Sequence, residues 1–172
     1  MGEGFNKGAE ELGFSAGAGL GAKVFGGGRY HDWYLGAVQY GWVISGVVER
    51  DHWYRGNWEL LGEAFGGRQF VPEAADFAGI APLLRYNFAP GHRWVPFIDA
   101  GAGLTYTDIR DRDLSADFEF NLQLGVGVRY FLRDDLALTV QYRFIHISDA
   151  GITSPNLGVN NNTVLLGMSW FF

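Results

Sequence analysis

Apolar and polar residues alternate along most of this chain. The clearest run is Phe118, Phe120, Leu122, Leu124, Val126, Val128 and Tyr130, interleaved with Asp117, Glu119, Asn121, Gln123, Gly125, Gly127 and Arg129. Successive strand side chains point to opposite faces, so one face here is wholly apolar and the other is polar or glycine. The split recurs: Tyr34, Val38, Tyr40, Trp42 and Ile44 oppose Gln39, Gly41 and Ser45, and Val164, Leu166, Met168, Trp170 and Phe172 oppose Thr163, Gly167 and Ser169. Such runs predict eight strands, at about 13–25, 33–48, 57–69, 76–88, 94–109, 116–131, 135–148 and 162–172. Breaker clusters separate them, among them Gly26-Gly27-Gly28, Arg55-Gly56, Ala89-Pro90-Gly91 and Arg133-Asp134-Asp135. No useful stretch carries an apolar 3.6-residue period, so helices should be few.

Alternation alone does not say which face is outside. The polar face carries Lys23, Glu59, Glu63, Arg85, Asp99, Asp117, Glu119, Arg129 and Arg143. These have both signs and can pair in a narrow lumen, with glycines leaving room between them. A soluble, lipocalin-like barrel would instead turn the apolar face inward and leave the charges outside. Run length favours tilted membrane-spanning strands. Trp33, Tyr34, Trp53, Tyr54, Trp58, Tyr86, Trp94, Tyr106, Tyr130 and Trp170 lie near run ends, where an aromatic girdle would sit. The expected fold is therefore all-β: one eight-stranded antiparallel up-and-down transmembrane β-barrel over residues 1–172. Its lumen would be filled by side chains, which argues against a transport channel. The final Trp170-Phe171-Phe172 resembles the assembly signal of outer-membrane barrels.

Composition narrows the function classes. The net charge of −6 argues against nucleic-acid binding. There is no cysteine, hence no disulfide framework or cysteine metal site. The start, Met1-Gly2-Glu3-Gly4, has no basic and apolar signal segment, so an exported form is expected as a processed chain.

One segment carries chemistry. In the seventh run Leu136, Leu138, Val140, Tyr142, Phe144, His146 and Ser148 share a face, opposite Ala137, Thr139, Gln141, Arg143, Ile145 and Ile147. His146 and Ser148 thus end the apolar face, about 6.5–7 Å apart at Cα, close enough for a histidine to activate a serine. With both termini periplasmic, this strand ends at the outer leaflet. A polar pair facing hydrocarbon is costly unless used. Lipopolysaccharide is abundant there and carries ester-linked acyl chains, so ester hydrolysis of a lipid entering sideways is the expected reaction.

The segment His146-Ile147-Ser148-Asp149-Ala150-Gly151, followed by Pro155-Asn156-Leu157-Gly158, resembles the lipid A 3-O-deacylase (PagL) family of outer-membrane barrels. Pro96-Phe97-Ile98-Asp99-Ala100-Gly101-Ala102-Gly103 resembles a second family strand. The resemblance implies lipid A of lipopolysaccharide as substrate and no cofactor or metal. It implies Ser148 as nucleophile, His146 as general base, and Gly151 (backbone N–H) and Asn156 (side-chain amide) as oxyanion donors. The family's triad glutamate falls on position 160, where this chain has Asn160. Asparagine can orient a histidine but supplies no charge; losing the acid of another triad costs about 10⁴ in turnover. Asp149 stands where the family commonly has asparagine. Two readings stay open for it: an alternative acid for His146, or a loop-initiating residue. His31, His52 and His92 are expected at surface or interfacial positions, and no metal-ligand spacing is visible. A non-enzymatic structural or adhesive barrel is the competing function, and oligomeric state, monomer or homodimer, is left open.

Overall fold

The computed structural model describes residues 6–48, 51–88 and 92–172. Eight strands follow in order: β1 (Glu10–Gly21), β2 (Asp32–Val43), β3 (Gly56–Val71), β4 (Ala75–Phe88), β5 (Trp94–Thr107), β6 (Phe118–Arg133), β7 (Leu136–Ser148) and β8 (Val159–Phe171). Each pairs antiparallel with the next, and β1 pairs with β8 to close an up-and-down barrel. No helix occurs among the described residues. The Ala89-Pro90-Gly91 breaker and the Met1-Gly2-Glu3-Gly4 start lie outside them.

Two strands begin three residues earlier than their apolar alternation suggested. β1 starts at Glu10 and β8 at Val159. Polar residues ended the apparent runs, yet their backbones pair: Glu11 lies opposite Gly41 and Phe171, and Asn160 opposite His146.

The apolar face points outward. On β8, Leu165 is 1% exposed and its neighbour Leu166 is 64% exposed. The charged face lines the lumen, where Glu59, Glu63, Arg85, Asp99, Glu119, Arg129 and Arg143 are all buried. Glu11, absent from the predicted polar face, joins them. Two expectations are corrected. Lys23 and Asp117 lie outside the strands and are exposed, Lys23 over the Tyr30 ring and Asp117 paired with Arg110. Trp33 is no girdle residue: its parity turns it inward, where its indole N–H donates to Thr163 Oγ1 at 3.1 Å.

The lumen is stratified. Its middle is a belt of paired charges. Arg129 bonds Glu59 at 3.1 Å and Asn87 at 2.9 Å and also meets Glu11. Arg85 bonds Asp99 at 2.8 Å, and Arg143 bonds Glu63 at 2.7 Å. Buried charge is tolerated only when paired in this way. Space for the belt comes from glycine: a Cβ on Gly125 would lie 2.2 Å from Asp99 Oδ1. Apolar plugs close both ends. Trp33, Phe65, Phe77, Ile145 and Ile147 belong to one; Val43, Val95, Phe131, Ala137 and Phe171 form the other. The connections 22–31, 72–74, 108–117 and 149–158 follow β1, β3, β5 and β7, so antiparallel order gathers them at the first plug.

Candidate active site

His146 and Ser148 lie at the end of β7, on its outward parity. His146 sits opposite Leu122 of β6 and Asn160 of β8, and Ser148 opposite Phe120. Directly opposed strand residues have close Cβ atoms, so the β7–β8 register is what brings position 160 to the imidazole. His146 Nε2 is 2.9 Å from Ser148 Oγ, and Nδ1 is 2.7 Å from Asn160 Oδ1. Ser148, His146 and Asn160 therefore stand in one hydrogen-bonded line, the arrangement that a serine activated by a histidine would need. Asn160 has outward parity yet is only 1% exposed. The connection after β1 covers it: Asn160 Nδ2 donates to Val24 O at 2.6 Å, and Ala22 N–H to Asn160 O at 2.8 Å.

Asp149 turns away from this line. Its Oδ1 accepts Gly151 N–H at 2.8 Å and Ile152 N–H at 3.1 Å, and its Oδ2 accepts Thr153 N–H at 2.6 Å and the Thr153 hydroxyl. The Thr153 hydroxyl, helped by the backbone donors and opposed by burial, holds this carboxyl below the usual aspartate range. Both ring nitrogens of His146 are occupied by Ser148 and Asn160, so the geometry assigns Asp149 to its own loop and not to the imidazole. The oxyanion expectation meets a similar obstacle. Gly151, at φ +81°, gives its N–H to Asp149, and Asn156 Nδ2 donates to Glu119 at 3.1 and 3.3 Å. A carboxylate is a strong acceptor, so in this arrangement Asp149 engages the Gly151 N–H and Glu119 engages the Asn156 amide.

Beside His146 lies an apolar groove of about 380 Å³ on the outer wall, lined by Phe25, Leu122, Gln123, Leu124, Phe144 and the imidazole. Phe25 arrives from the connection after β1 and packs edge-on against Phe144 and His146, with centroids 6.0 and 6.4 Å apart. The expected first strand ran to Phe25, but β1 ends at Gly21, and residues 22–25 join the Gly26-Gly27-Gly28 breaker in the connection that follows.

His31 is a further correction. It is buried, with Nδ1 2.7 Å from Gln69 Oε1 and Nε2 3.0 Å from Asp113 Oδ2. His52 stacks on Tyr54, and His92 meets Arg55. Ligand atoms of His31, Asp111 and Asp113 lie within 4.8 Å of one another, a convergence that sequence spacing hid because two loops supply it. Their oxygens already have partners. Asp113 accepts Gly28 and Arg29 N–H at 3.0 and 2.7 Å, and Arg29 lies 3.6 Å from Asp111. Asp113 O also accepts Gly158 N–H at 2.9 Å. The group thus clasps three connections around the site, with arginine as countercharge.

An outward-facing apolar wall, a charged closed lumen and a Ser–His pair on the outer surface define an eight-stranded outer-membrane barrel with a wall-mounted site. Its sequence matches the family described as lipid A 3-O-deacylase (PagL) over residues 34–169. The chain belongs to that family. It is 27% identical over 126 residues to the lipid A deacylase PagL of Pseudomonas aeruginosa, covering 69% of this chain and 70% of that protein. Among solved folds, the outer-membrane enzyme PagL superposes with a TM-score of 0.67 at 21% identity, covering 91% of this chain and 97% of that one. Neisserial surface protein A superposes with a TM-score of 0.69 at 15% identity, covering 96% and 99%. Both likenesses concern the fold.

Proposed function

We propose that this chain hydrolyses the 3-O-linked acyl ester of lipid A with Ser148 as nucleophile and His146 as general base. The observation that carries the reading is the 2.9 Å Ser148–His146 contact on the lipid-facing wall, beside an apolar groove. An acyl chain lies in that groove with its ester carbonyl at Ser148. Ser148 Oγ attacks the carbonyl carbon while its proton passes to His146 Nε2. The tetrahedral intermediate collapses, and the sugar oxygen leaves with that proton as a free hydroxyl. Water then attacks the acyl-serine, losing a proton to Nε2, and as the acyl–Oγ bond breaks Nε2 returns that proton to Ser148 Oγ and a 3-hydroxy fatty acid departs. Asn160 keeps Nδ1 as the protonated nitrogen but adds no charge to the imidazolium. An oxyanion role for Gly151 and Asn156 requires substrate entry to draw them from Asp149 and Glu119; the outer leaflet is where that entry takes place.

Purified protein incubated with lipopolysaccharide should release the 3-position hydroxyacyl chain, and Ser148→Ala should not. A second reading, a non-enzymatic surface barrel, is favoured by one feature: the uncharged Asn160 at the orienting position. Lipid A left intact by the wild-type protein would establish it.

A further inference from the structure

The connection after β1 is more than a cover. Residues 22–28 cross the outward side of β8 and bond to Asn160 twice, through Ala22 N–H and Val24 O. An asparagine amide has two chemically different ends, and an unrestrained one can present either oxygen or nitrogen to a neighbour. With Nδ2 held 2.6 Å from Val24 O, Oδ1 faces His146 Nδ1 at 2.7 Å. An oxygen there accepts a proton from Nδ1. That leaves the lone pair on Nε2, aimed at Ser148 Oγ. A flipped amide would donate to Nδ1 and put the proton on Nε2, where it blocks the base.

We infer that the Val24 carbonyl is a positioning group: residues 22–28 form a strap that fixes the Asn160 amide and thereby the His146 tautomer. This rests on the Ser–His reading for its catalytic consequence, but the tautomer itself does not depend on turnover. The strap also explains why asparagine suits position 160 here. An aspartate would bring a carboxylate oxygen to within 2.6 Å of the Val24 carbonyl oxygen, two acceptors with no proton between them. Restoring an acid at position 160 should therefore harm this chain.

Gly27 gives direct access to the contact. Its φ is not left-handed, but a Cβ there would lie 2.9 Å from Asn160 Nδ2 and 3.1 Å from Gly158 O. Gly27→Ala should push the amide off Val24 without touching the barrel. Gly46→Ala, whose Cβ meets nothing within 4 Å, is the control. Nitrogen-15 spectra of the histidine rings, taken above the imidazole titration range, read the tautomer, with His146 assigned by its loss in His146→Gln. Wild-type and Gly46→Ala should show the Nδ1–H form, and Gly27→Ala a mixture. In the deacylation assay Gly27→Ala should lower kcat about tenfold with little change in KM. Asn160→Asp should lose activity in the wild-type background and lose far less in Gly27→Ala, where the side chain at position 160 is displaced from the Val24 carbonyl. An unchanged His146 tautomer in Gly27→Ala, or a faster Asn160→Asp enzyme, overturns the inference. A tautomer shift in a protein that releases no acyl chain supports the strap and instead removes the esterase reading.

Discussion

Asn160 Oδ1 lies 2.7 Å from His146 Nδ1, across one rung of the β7–β8 ladder. The contact is cross-strand, so it depends on register and not on sequence proximity. It puts an uncharged acceptor where a triad of this kind uses a carboxylate.

Removing Ser148 or His146 should each reduce turnover by about 10³-fold or more, because each alone disables the proton-coupled attack. The double variant should be no worse than the worse single, since the two residues act as one unit. Asn160→Ala should cost less than either, as it leaves nucleophile and base in contact. Release of hydroxy fatty acid from lipopolysaccharide, followed by mass spectrometry, measures all four proteins.

Asp149 organises residues 149–153, and its carboxyl is held below its ordinary range. A depressed carboxylate contributes order that is fully present above its unfolded pKa and is lost as pH falls through the lower folded value. Protease protection of this connection should thus be flat from about pH 5 to 8 and fall away only below about pH 4. Asp149→Ala should expose the connection at every pH. A loss of protection near neutrality in the wild-type protein would contradict the assignment.

In the lumen, Arg129 pairs with both Glu11 and Glu59, and Arg85 stands 3.7 Å from Glu11. Arg129→Met leaves two buried carboxylates without it and should destabilise the barrel by about 3–5 kcal/mol. Adding Glu11→Gln and Glu59→Gln removes the stranded charges and should recover most of that loss. Urea unfolding in lipid vesicles compares the midpoints.

Leu166 faces out from the middle of β8. Leu166→Arg should cost about 2–4 kcal/mol in a bilayer, the expense of a cation near its midplane. The penalty should shrink in detergent micelles, where the side chain reaches water more easily. Equal stability of wild-type and variant in vesicles would contradict an outward lipid face.

Much of this is legible in the sequence. Period-two alternation separates two faces with no long-range information, because a strand's side chains must alternate. Mixed-sign charges with intervening glycines on one face identified the lumen, and the same parity placed His146 and Ser148 on the other. Local pattern failed where the chain meets itself at a distance. Trp33 looked like a girdle residue, but the closed barrel turns it in against Phe77. His31 looked interfacial, but Gln69 and Asp113 lie 38 and 82 positions away in the chain.

Strand count, the two faces and the His-x-Ser pair follow from local pattern, because strand periodicity is a local property of the backbone. What surrounds the pair depends on contacts between distant parts of the chain. Barrel closure brings residues 22–28 over Asn160, aligns that amide with the imidazole, and commits Asp149 and Gly151 to their own loop and Asn156 to Glu119 of β6. Those partners are set by register and loop packing across the molecule, and no local pattern encodes either.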